Sequence, residues 1–208
     1  MNIQTGKQPK RRNQAERRSE SENGLLQAAA SLIVERGLAA ATFENIGLRA
    51  GYSRGLATQK FGSKQGLIEA LIARLQARLQ SLLDERDIDS VSGLESVLTF
   101  VDVYLGNLAS DSELRAYFIV TAGAVAEISD LRATFAAAHK DVEIKLEAQF
   151  LRGLADGSVR QGIDPDAAAL MVGALLFGLS MQTLLDPSLD LEPIRETSLM
   201  SLRMSLQR

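Results

Sequence analysis

The feature that most constrains this chain is a run of helix-capping and helix-ending residues between positions 42 and 63. Hydroxyl side chains that cap helix N-termini alternate there with glycines, which readily end helices: Thr42, Gly51, Ser53, Gly62 and Ser63. Their spacing predicts two short helices, Phe43–Ala50 and Arg54–Phe61, joined by a tight turn. Two helices joined in this way form a helix-turn-helix.

Longer helices are predicted on both sides of this pair. Apolar residues recur at three- and four-residue spacing from about Ser21 to Arg36, and leucines do so again from Leu67 to Leu82. Each pattern describes a helix with one apolar face. We therefore expect the first and fourth helices to cover the apolar side of the helix-turn-helix.

The third helix has one apolar and one polar side. Leu56 and Phe61 are predicted to point inward as anchors. The opposite side carries hydrogen-bond donors and small residues: Arg54, Gly55, Thr58, Gln59 and Lys60. No acid occurs between Glu44 and Glu69, and polar side chains gain nothing from burial in an apolar core. We interpret this side as a surface that lies against nucleic acid in a major groove.

Composition and charge agree with a helical chain of two different parts. Hydrophobic residues make up 46% of the 208 positions, and the dominance of Ala and Leu predicts an all-α fold. Through Lys64 the chain has 11 basic and 5 acidic residues, a net +6, whereas the remainder carries −9. Only the first part is therefore expected to meet a polyanion. The absence of Cys and of a secretory signal predicts a cytoplasmic protein without thiolate metal sites.

Three regions are predicted along the chain. Residues 1–20 form a disordered basic arm, and two interpretations stay open: a solvated tail, or an arm that contacts DNA. Residues 21–68 form the helix-turn-helix domain and residues 69–208 a helical domain. After a linker at Asp84–Gly93, five further helices bring the total to about nine: Leu94–Ala109, Ser112–Ala126, Leu131–Asp156, Asp166–Leu185 and Leu191–Gln207.

The segment Leu25–Leu71 resembles the N-terminal domain of the TetR (tetracycline-repressor) family of bacterial transcription regulators. The resemblance is carried by an ordered set of residues across four helices: the ERG of Glu35–Gly37, Thr42, the AG of Ala50–Gly51, the SRG of Ser53–Gly55 and the FGSKQGL of Phe61–Leu67. Further along, IDPDAAALMVGALLFGLSMQTLLDP looks like the common eighth helix. The resemblance implies a three-helix DNA-binding domain, joined by a long fourth helix to a C-terminal ligand-binding and dimerisation domain.

The resemblance also implies, position by position, which residues contact DNA. These are Thr42, Ser53, Arg54, Gly55, Thr58, Gln59, Lys60 and Lys64. Thr42 and Lys64 would bind phosphates, and the fork of Arg54 would read guanine. Thr58 and Lys60 depart from the family pattern, which often has an aromatic residue and a histidine there. The DNA sequence read by this helix is therefore not inferred from better-known members.

An effector pocket between the middle helices is also implied by the resemblance. Large aromatic side chains in this region are the candidates for its lining: Phe100, Tyr104, Phe118, Phe135, Phe150 and Phe177. Further candidates for the lining are Tyr117, His139, Met171 and Met181, and the alternative for the aromatic and methionine residues is an ordinary core position. His139, the only histidine, stands beside Lys140 and Asp141 and is expected near the surface.

The uncharged run between Asp166 and Asp186 is long enough to cross a membrane. Acids flank both ends and no basic or aromatic anchors are present, so we predict no membrane span. A helix that is apolar all round must instead be covered on every side. We expect it to form a homodimer interface with the final helix through Met171, Leu175, Leu176, Leu179, Leu199 and Leu202.

These observations predict a DNA-binding transcriptional regulator that acts as a homodimer on a palindromic operator. The resemblance implies a repressor that a small-molecule effector releases. The alternative is a helical dimerisation or interaction protein of the same fold, without an effector or with weak DNA binding. No catalytic motif is found, so we predict neither an enzyme nor a bound cofactor or metal.

Overall fold

The computed structural model describes residues 14–127 and 129–207, and within these ranges the chain forms nine α-helices and no β-strand. The helices are α1 Gln14–Arg36, α2 Phe43–Ala50, α3 Arg54–Phe61, α4 Lys64–Asp84, α5 Gly93–Leu108, α6 Ser112–Ala126, α7 Leu131–Asp156, α8 Pro165–Leu185 and α9 Glu192–Leu206. The predicted all-α fold is confirmed.

Local capping produces the short helices as predicted. Thr42 accepts a hydrogen bond from the backbone N–H of Asn45 at 3.2 Å, and Ser53 accepts one from Leu56 at 3.2 Å. Ser63 caps α4 in the same way, since the N–H of Gly66 lies 3.0 Å from its Oγ. Each bond satisfies a helix-terminal donor that has no partner within the helix.

The turn between α2 and α3 depends on two glycines. Gly51 has φ 74° and ψ 25°, the left-handed conformation that ends α2. Gly47 lies where α2 meets the start of α3, and a Cβ on it would come within 2.9 Å of the Tyr52 carbonyl oxygen. A larger residue at position 47 would therefore push the two helices apart.

The first helix is longer than predicted. It begins at Gln14, so residues 14–20, which were predicted as part of the disordered arm, are helical. A contact between distant segments explains the difference, because the Lys60 ammonium in α3 donates to the Arg18 carbonyl at 2.8 Å and to Glu22 at 3.0 Å. Residues 1–13 of the predicted arm lie outside the described residues.

The core of the N-terminal domain forms around Ile46, Ala57 and Phe61. Ile46 and Ala57 are fully buried, and the Phe61 ring stacks 6.4 Å from that of Phe43. Leu56, predicted as an inward anchor, is only partly buried, because the small Ala57 faces the core in its place. The short side chain of Ala57 leaves room for α2 and α4, which both pack against α3.

The C-terminal helices pack around α5. Helices α7, α8 and α9 all contact it, and Gly93 at its start lies against Gly153 of α7. A Cβ on Gly93 would come within 2.1 Å of the Gly153 nitrogen, so this crossing excludes larger residues. The other end of α5 reaches the cavity described below.

Two buried clusters of apolar residues form the interior. The first joins the N-terminal helices to α6 and the start of α7, and the second joins the end of α4 to α5, α7, α8 and α9. Buried residues such as Leu67 and Phe118 therefore belong to one cluster although they lie on opposite sides of the predicted boundary at residue 68. That boundary stays a prediction.

Helix α8 is only partly covered by its own chain. Among the described helices it alone is long and apolar enough to cross a membrane by length and composition, and 33% of its most apolar 18-residue window is buried. Core helices of water-soluble proteins meet the same criteria. The remaining apolar face of α8 is available for contact outside the chain.

Candidate nucleic-acid interface and internal cavity

The polar side of α3 is open to solvent, as predicted. Arg54, Gly55, Thr58 and Gln59 are all exposed, and the Thr58 hydroxyl donates to the Arg54 carbonyl at 3.0 Å. The guanidinium of Arg54 has no described protein partner and extends from the first turn of the helix. This side of α3 combines donors, small residues and one free cation within eight residues.

The N-termini of α2 and α4 add two anion-binding positions near α3. Thr42 is exposed at the start of α2, and Lys64 is exposed at the start of α4. The backbone N–H groups and the dipole at a helix N-terminus favour negatively charged groups. Ser53 is exposed at the start of α3, although its hydroxyl oxygen already accepts the Leu56 N–H.

Lys60 does not belong to this open side. Its side chain is only 9% exposed, and its ammonium donates to α1 through the Arg18 carbonyl and Glu22. The expectation that Lys60 lies on the open side of α3 is therefore wrong, and its contact with DNA stays a prediction. The last turn of α3 points toward α1, and two acceptors on α1 lie within hydrogen-bond distance of the ammonium.

The N-terminal extension of α1 supplies basic residues that the sequence prediction had assigned to a flexible arm. Arg17 and Arg18 are exposed and border a groove between α1 and α3, which Gln59 also lines. A helical arrangement fixes these side chains relative to α3. This arrangement could not be predicted from the sequence, because residues 14–20 have no apolar periodicity.

An internal cavity of about 370 Å³ lies between α4, α5, α6, α7 and α8. Four of the six aromatic residues predicted for an effector pocket line it: Phe100, Tyr104, Phe118 and Phe177. Phe135 and Phe150 do not. The Phe135 ring packs behind that of Tyr117 at 5.0 Å, and Phe150 is fully buried in the second apolar cluster. Sequence periodicity places both on the inner side of α7 without distinguishing the cavity from the core.

His139, one of the candidates for the lining, lines the cavity, although a position near the surface was expected for it. Its ring is 5.9 Å from that of Tyr117 and 5.5 Å from that of Phe177, and it is partly buried. The charged neighbours Lys140 and Asp141 suggested exposure, but they lie on other sides of α7. A helix with a strongly polar outer face can still point one polar residue inward.

Two tyrosine hydroxyls also lie in this region. Tyr104 is hydrogen-bonded to Ser180 at 2.8 Å, and the hydroxyl of Tyr117 lies 3.2 Å from Nδ1 of His139. Burial raises the pKa of both tyrosines above its ordinary value, because the apolar surroundings disfavour a phenolate. Both groups therefore remain hydroxyls at physiological pH.

A cluster of charged residues joins the rim of the cavity to the N-terminal domain. Arg78 of α4 lines the cavity and pairs with Asp111, which also lines it, and with Glu113. Glu113 is only 4% exposed and also binds Arg74, whose guanidinium reaches Asn23 of α1. Helix α4 is thus tied by charged contacts to the cavity and to α1.

The residues predicted for a dimer interface divide into two groups. Leu176 and Leu202 are 4% and 5% exposed in the chain's own core, so they are not available to a partner. Leu175, Leu179 and Leu199 are partly buried against that core, and Met171 is exposed. The sequence identified the helices, but the apolar pattern all round α8 did not reveal which face turns outward.

A helix-turn-helix domain attached to a helical body is the architecture of a DNA-binding transcription regulator. Residues 25–71 match the family model for bacterial regulatory proteins of the tetR family, and residues 94–206 match that for the C-terminal part of BetI-type transcriptional repressors. The chain belongs to the TetR family of transcription regulators. This family and fold are those of regulators, which are not enzymes.

Solved structures of other regulators share the fold. SmeT, the repressor of the Stenotrophomonas maltophilia multidrug efflux pump SmeDEF, is 26% identical in its triclosan complex, with a TM-score of 0.70 over 90% of this chain and 92% of SmeT. The fatty acid degradation regulator FadR from Bacillus halodurans is 20% identical, with a TM-score of 0.75 over 93% and 96% of the two chains. No curated protein sequence matches the chain.

Proposed function

We propose that the protein is a transcriptional repressor that binds a palindromic operator as a homodimer and is released by a small-molecule effector. The observation that carries the proposal is the open side of α3, where Arg54, Thr58 and Gln59 are exposed. TetR-family regulators bind DNA and small-molecule effectors and act as dimers. Action on a bacterial operator requires that this protein work in the cytoplasm.

Each residue on this surface has a proposed role. Arg54 reads a base edge in the major groove, and Thr58 and Gln59 add hydrogen bonds or contacts beside it. Gly55 lets the backbone of α3 approach the groove closely, because it has no side chain. Thr42, Ser53 and Lys64 hold phosphates at the starts of α2, α3 and α4 and thereby set the orientation of α3.

The dimer is proposed to form through the outward faces of α8 and α9. Helix α8 exposes an apolar face that includes Met171, Ala174 and Leu185, and α9 exposes Met200 and Met204. Large apolar side chains that share an exposed face are typical of protein–protein contacts. Two copies joined there place two α3 helices on one duplex, which suits a palindromic operator.

The cavity is the proposed effector site. Its volume of about 370 Å³ and its apolar, partly aromatic lining suit a small molecule. SmeT, which shares the fold, has been solved as a complex with triclosan. An effector releases DNA only if it binds more tightly to a conformation in which the two α3 helices no longer fit the operator.

Selection from a random duplex library with the purified protein tests DNA recognition. We expect one enriched palindrome, bound with an affinity that falls steeply as salt rises, since phosphate contacts release counterions. An absence of enrichment from a folded dimer would instead support the alternative, an interaction protein of TetR fold with weak DNA binding. The inward position of Lys60 favours that alternative, because it leaves Arg54 as the one outward cation of α3.

A further inference from the structure

The cavity wall is mostly apolar, and polar side chains lie among the apolar ones: Gln76, Arg78, Asn107, Asp111, His139 and Glu143. Its apolar part comes from leucine, isoleucine, valine and aromatic side chains of α4, α5, α6 and α8 and from Val142 of α7, and α7 also contributes His139. Nδ1 of His139 is 2.8 Å from the Phe135 carbonyl oxygen, one turn earlier in α7. A carbonyl oxygen only accepts hydrogen bonds, so Nδ1 carries the proton.

The assignment of this proton determines what the ring presents to a ligand. With Nδ1 protonated, Nε2 of the neutral imidazole is an acceptor, and Nε2 has no described protein partner. The ring is held in place from two sides. The Tyr117 oxygen lies 3.2 Å from Nδ1, and the Phe177 ring meets the imidazole at 63°. His139 therefore presents Nε2 as a hydrogen-bond acceptor whose orientation is fixed by the contacts of the ring.

The charged residues of the lining already have partners within the chain. Arg78 pairs with Asp111 and Glu113. Glu143 receives a hydrogen bond from Lys140 at 2.6 Å, which lowers the pKa of Glu143 and keeps it ionised. A charged ligand would have to break one of these pairs, whereas an uncharged one leaves them intact. The lining therefore favours an uncharged molecule.

The aromatic residues beside His139 indicate the shape of that molecule. The Phe118 ring meets that of Tyr117 at 84° and that of Phe177 at 72°, with centroids 5.0 and 5.6 Å apart. Edge-to-face packing of this kind extends readily to an added aromatic ring. The volume of about 370 Å³ accommodates a molecule of one to three rings.

We propose that the cavity takes an uncharged, mainly aromatic molecule with a single hydroxyl or N–H group that donates a hydrogen bond to Nε2 of His139. This rests on the proposed function in one respect, namely that the cavity is the effector site. His139 gives the site a preference for a donor-bearing ligand over one of equal size without a donor. Phe118 and Phe177 supply the apolar contact.

Two naphthalenes that differ in one group test the proposal. 2-Naphthol can donate a hydrogen bond, whereas 2-methoxynaphthalene has a similar shape and cannot. We expect calorimetric titration of the full chain to show about tenfold tighter binding of 2-naphthol, because the methoxy compound cannot donate a hydrogen bond to Nε2 of His139. Equal affinities of the native protein for the two compounds, or no binding of 2-naphthol, would be enough to overturn the proposal.

His139→Phe is the matched variant, since it keeps a ring against Phe177 and removes the acceptor. It should bind 2-methoxynaphthalene as the native protein does and lose the preference for 2-naphthol. A preference that survives in folded His139→Phe would also overturn the proposal. Tyr117→Phe serves as a second variant. It removes a group that orients the imidazole, and it should reduce the preference about two- to threefold.

The same probes, applied to the protein on its selected operator, separate this proposal from the proposed function. If 2-naphthol binds through His139 and DNA stays bound, the ligand assignment holds and effector release fails. If both probes bind equally and either one releases DNA, the effector site holds and the role of His139 is overturned.

Discussion

The guanidinium of Arg74 lies 2.9 Å from the carboxylate of Glu113, and this contact crosses from the fourth helix to the buried start of the sixth. The same carboxylate faces Arg78 at 3.4 Å. Arg78 lines the cavity, and Arg74 reaches Asn23 in the first helix. A change in the cavity that displaces Arg78 therefore alters the charged contacts that join the cavity to the first helix of the DNA-binding domain.

Glu113→Gln should lower the free energy of unfolding by about 1 to 2 kcal/mol, because hydrogen bonds to charged groups stabilise by roughly this amount. The loss stays moderate since the side chains of Arg74 and Arg78 are 28% and 41% exposed and can be solvated. Urea unfolding followed by circular dichroism measures the change. Glu127→Gln, at the exposed end of the same helix, is the control and should stay within about 0.5 kcal/mol of the native protein. An equal effect in both variants would mean that the contacts of Glu113 with the two arginines contribute nothing to the free energy of unfolding.

Lys60→Met should destabilise the folded chain slightly, by about 0.5 to 1 kcal/mol, while leaving the preferred DNA sequence unchanged. Its ammonium binds Glu22, which is partly exposed, so the pair is expected to be weak. Lys64→Met is the contrasting variant, since Lys64 is exposed. It should leave stability unchanged, weaken binding to all duplexes and reduce the salt slope by about one. A changed base preference in Lys60→Met would show that Lys60 leaves Glu22 to contact DNA.

Met171→Glu should convert the proposed dimer to a folded monomer, because it places a charge on the exposed apolar face of the eighth helix. Leu176→Glu, one turn further along, should instead unfold the chain, since Leu176 is buried in its own core. Sedimentation velocity and circular dichroism distinguish the two results. Ala136→Glu, on the exposed side of the seventh helix, controls for the added charge. Folded Met171→Glu that remains dimeric would place the interface elsewhere.

Asp156 should stabilise the fold at neutral pH and cease to do so in acid. Hydrogen bonding to the Ser158 side chain, then to the backbone N–H groups of Gly93 and Ser158, lowers its pKa below the ordinary value of 3.8. The stabilisation is therefore fully present above pH 3.8 and is lost as the pH falls through the lower, folded-state pKa.

Asp156→Asn provides the comparison for this pH dependence. The difference in unfolding free energy between the native protein and Asp156→Asn, measured by urea titration, should be largest near neutrality. It should shrink as the pH falls below 3.8. A difference that is constant over this range would show that the carboxylate charge is not the stabilising feature.

Much of the fold was predictable because it is set by local chemistry. Thr42, Ser53 and Ser63 cap helices through bonds within three residues, so the sequence itself contains both donor and acceptor. The second and third helices accordingly have the predicted bounds, and the open side of the third helix follows from the polar positions in Arg54–Phe61.

The errors arise where contacts join distant residues. Lys60 was predicted to face DNA, and only the position of Glu22, thirty-eight residues earlier, turns it inward. That contact also accompanies the helical extension at residues 14–20. His139 and Leu176 depend on how their helices are rotated about their axes, and the sequence around each has no apolar periodicity strong enough to fix that rotation.

Affinity of the Arg54→Ala variant for the selected operator and for an unrelated duplex, measured at one salt concentration, tests most directly whether the open side of the third helix reads DNA. Loss of a base contact should weaken operator binding by about 1 to 3 kcal/mol and leave binding to the unrelated duplex nearly unchanged. An equal loss on both duplexes, or no loss on either, would contradict sequence recognition by Arg54.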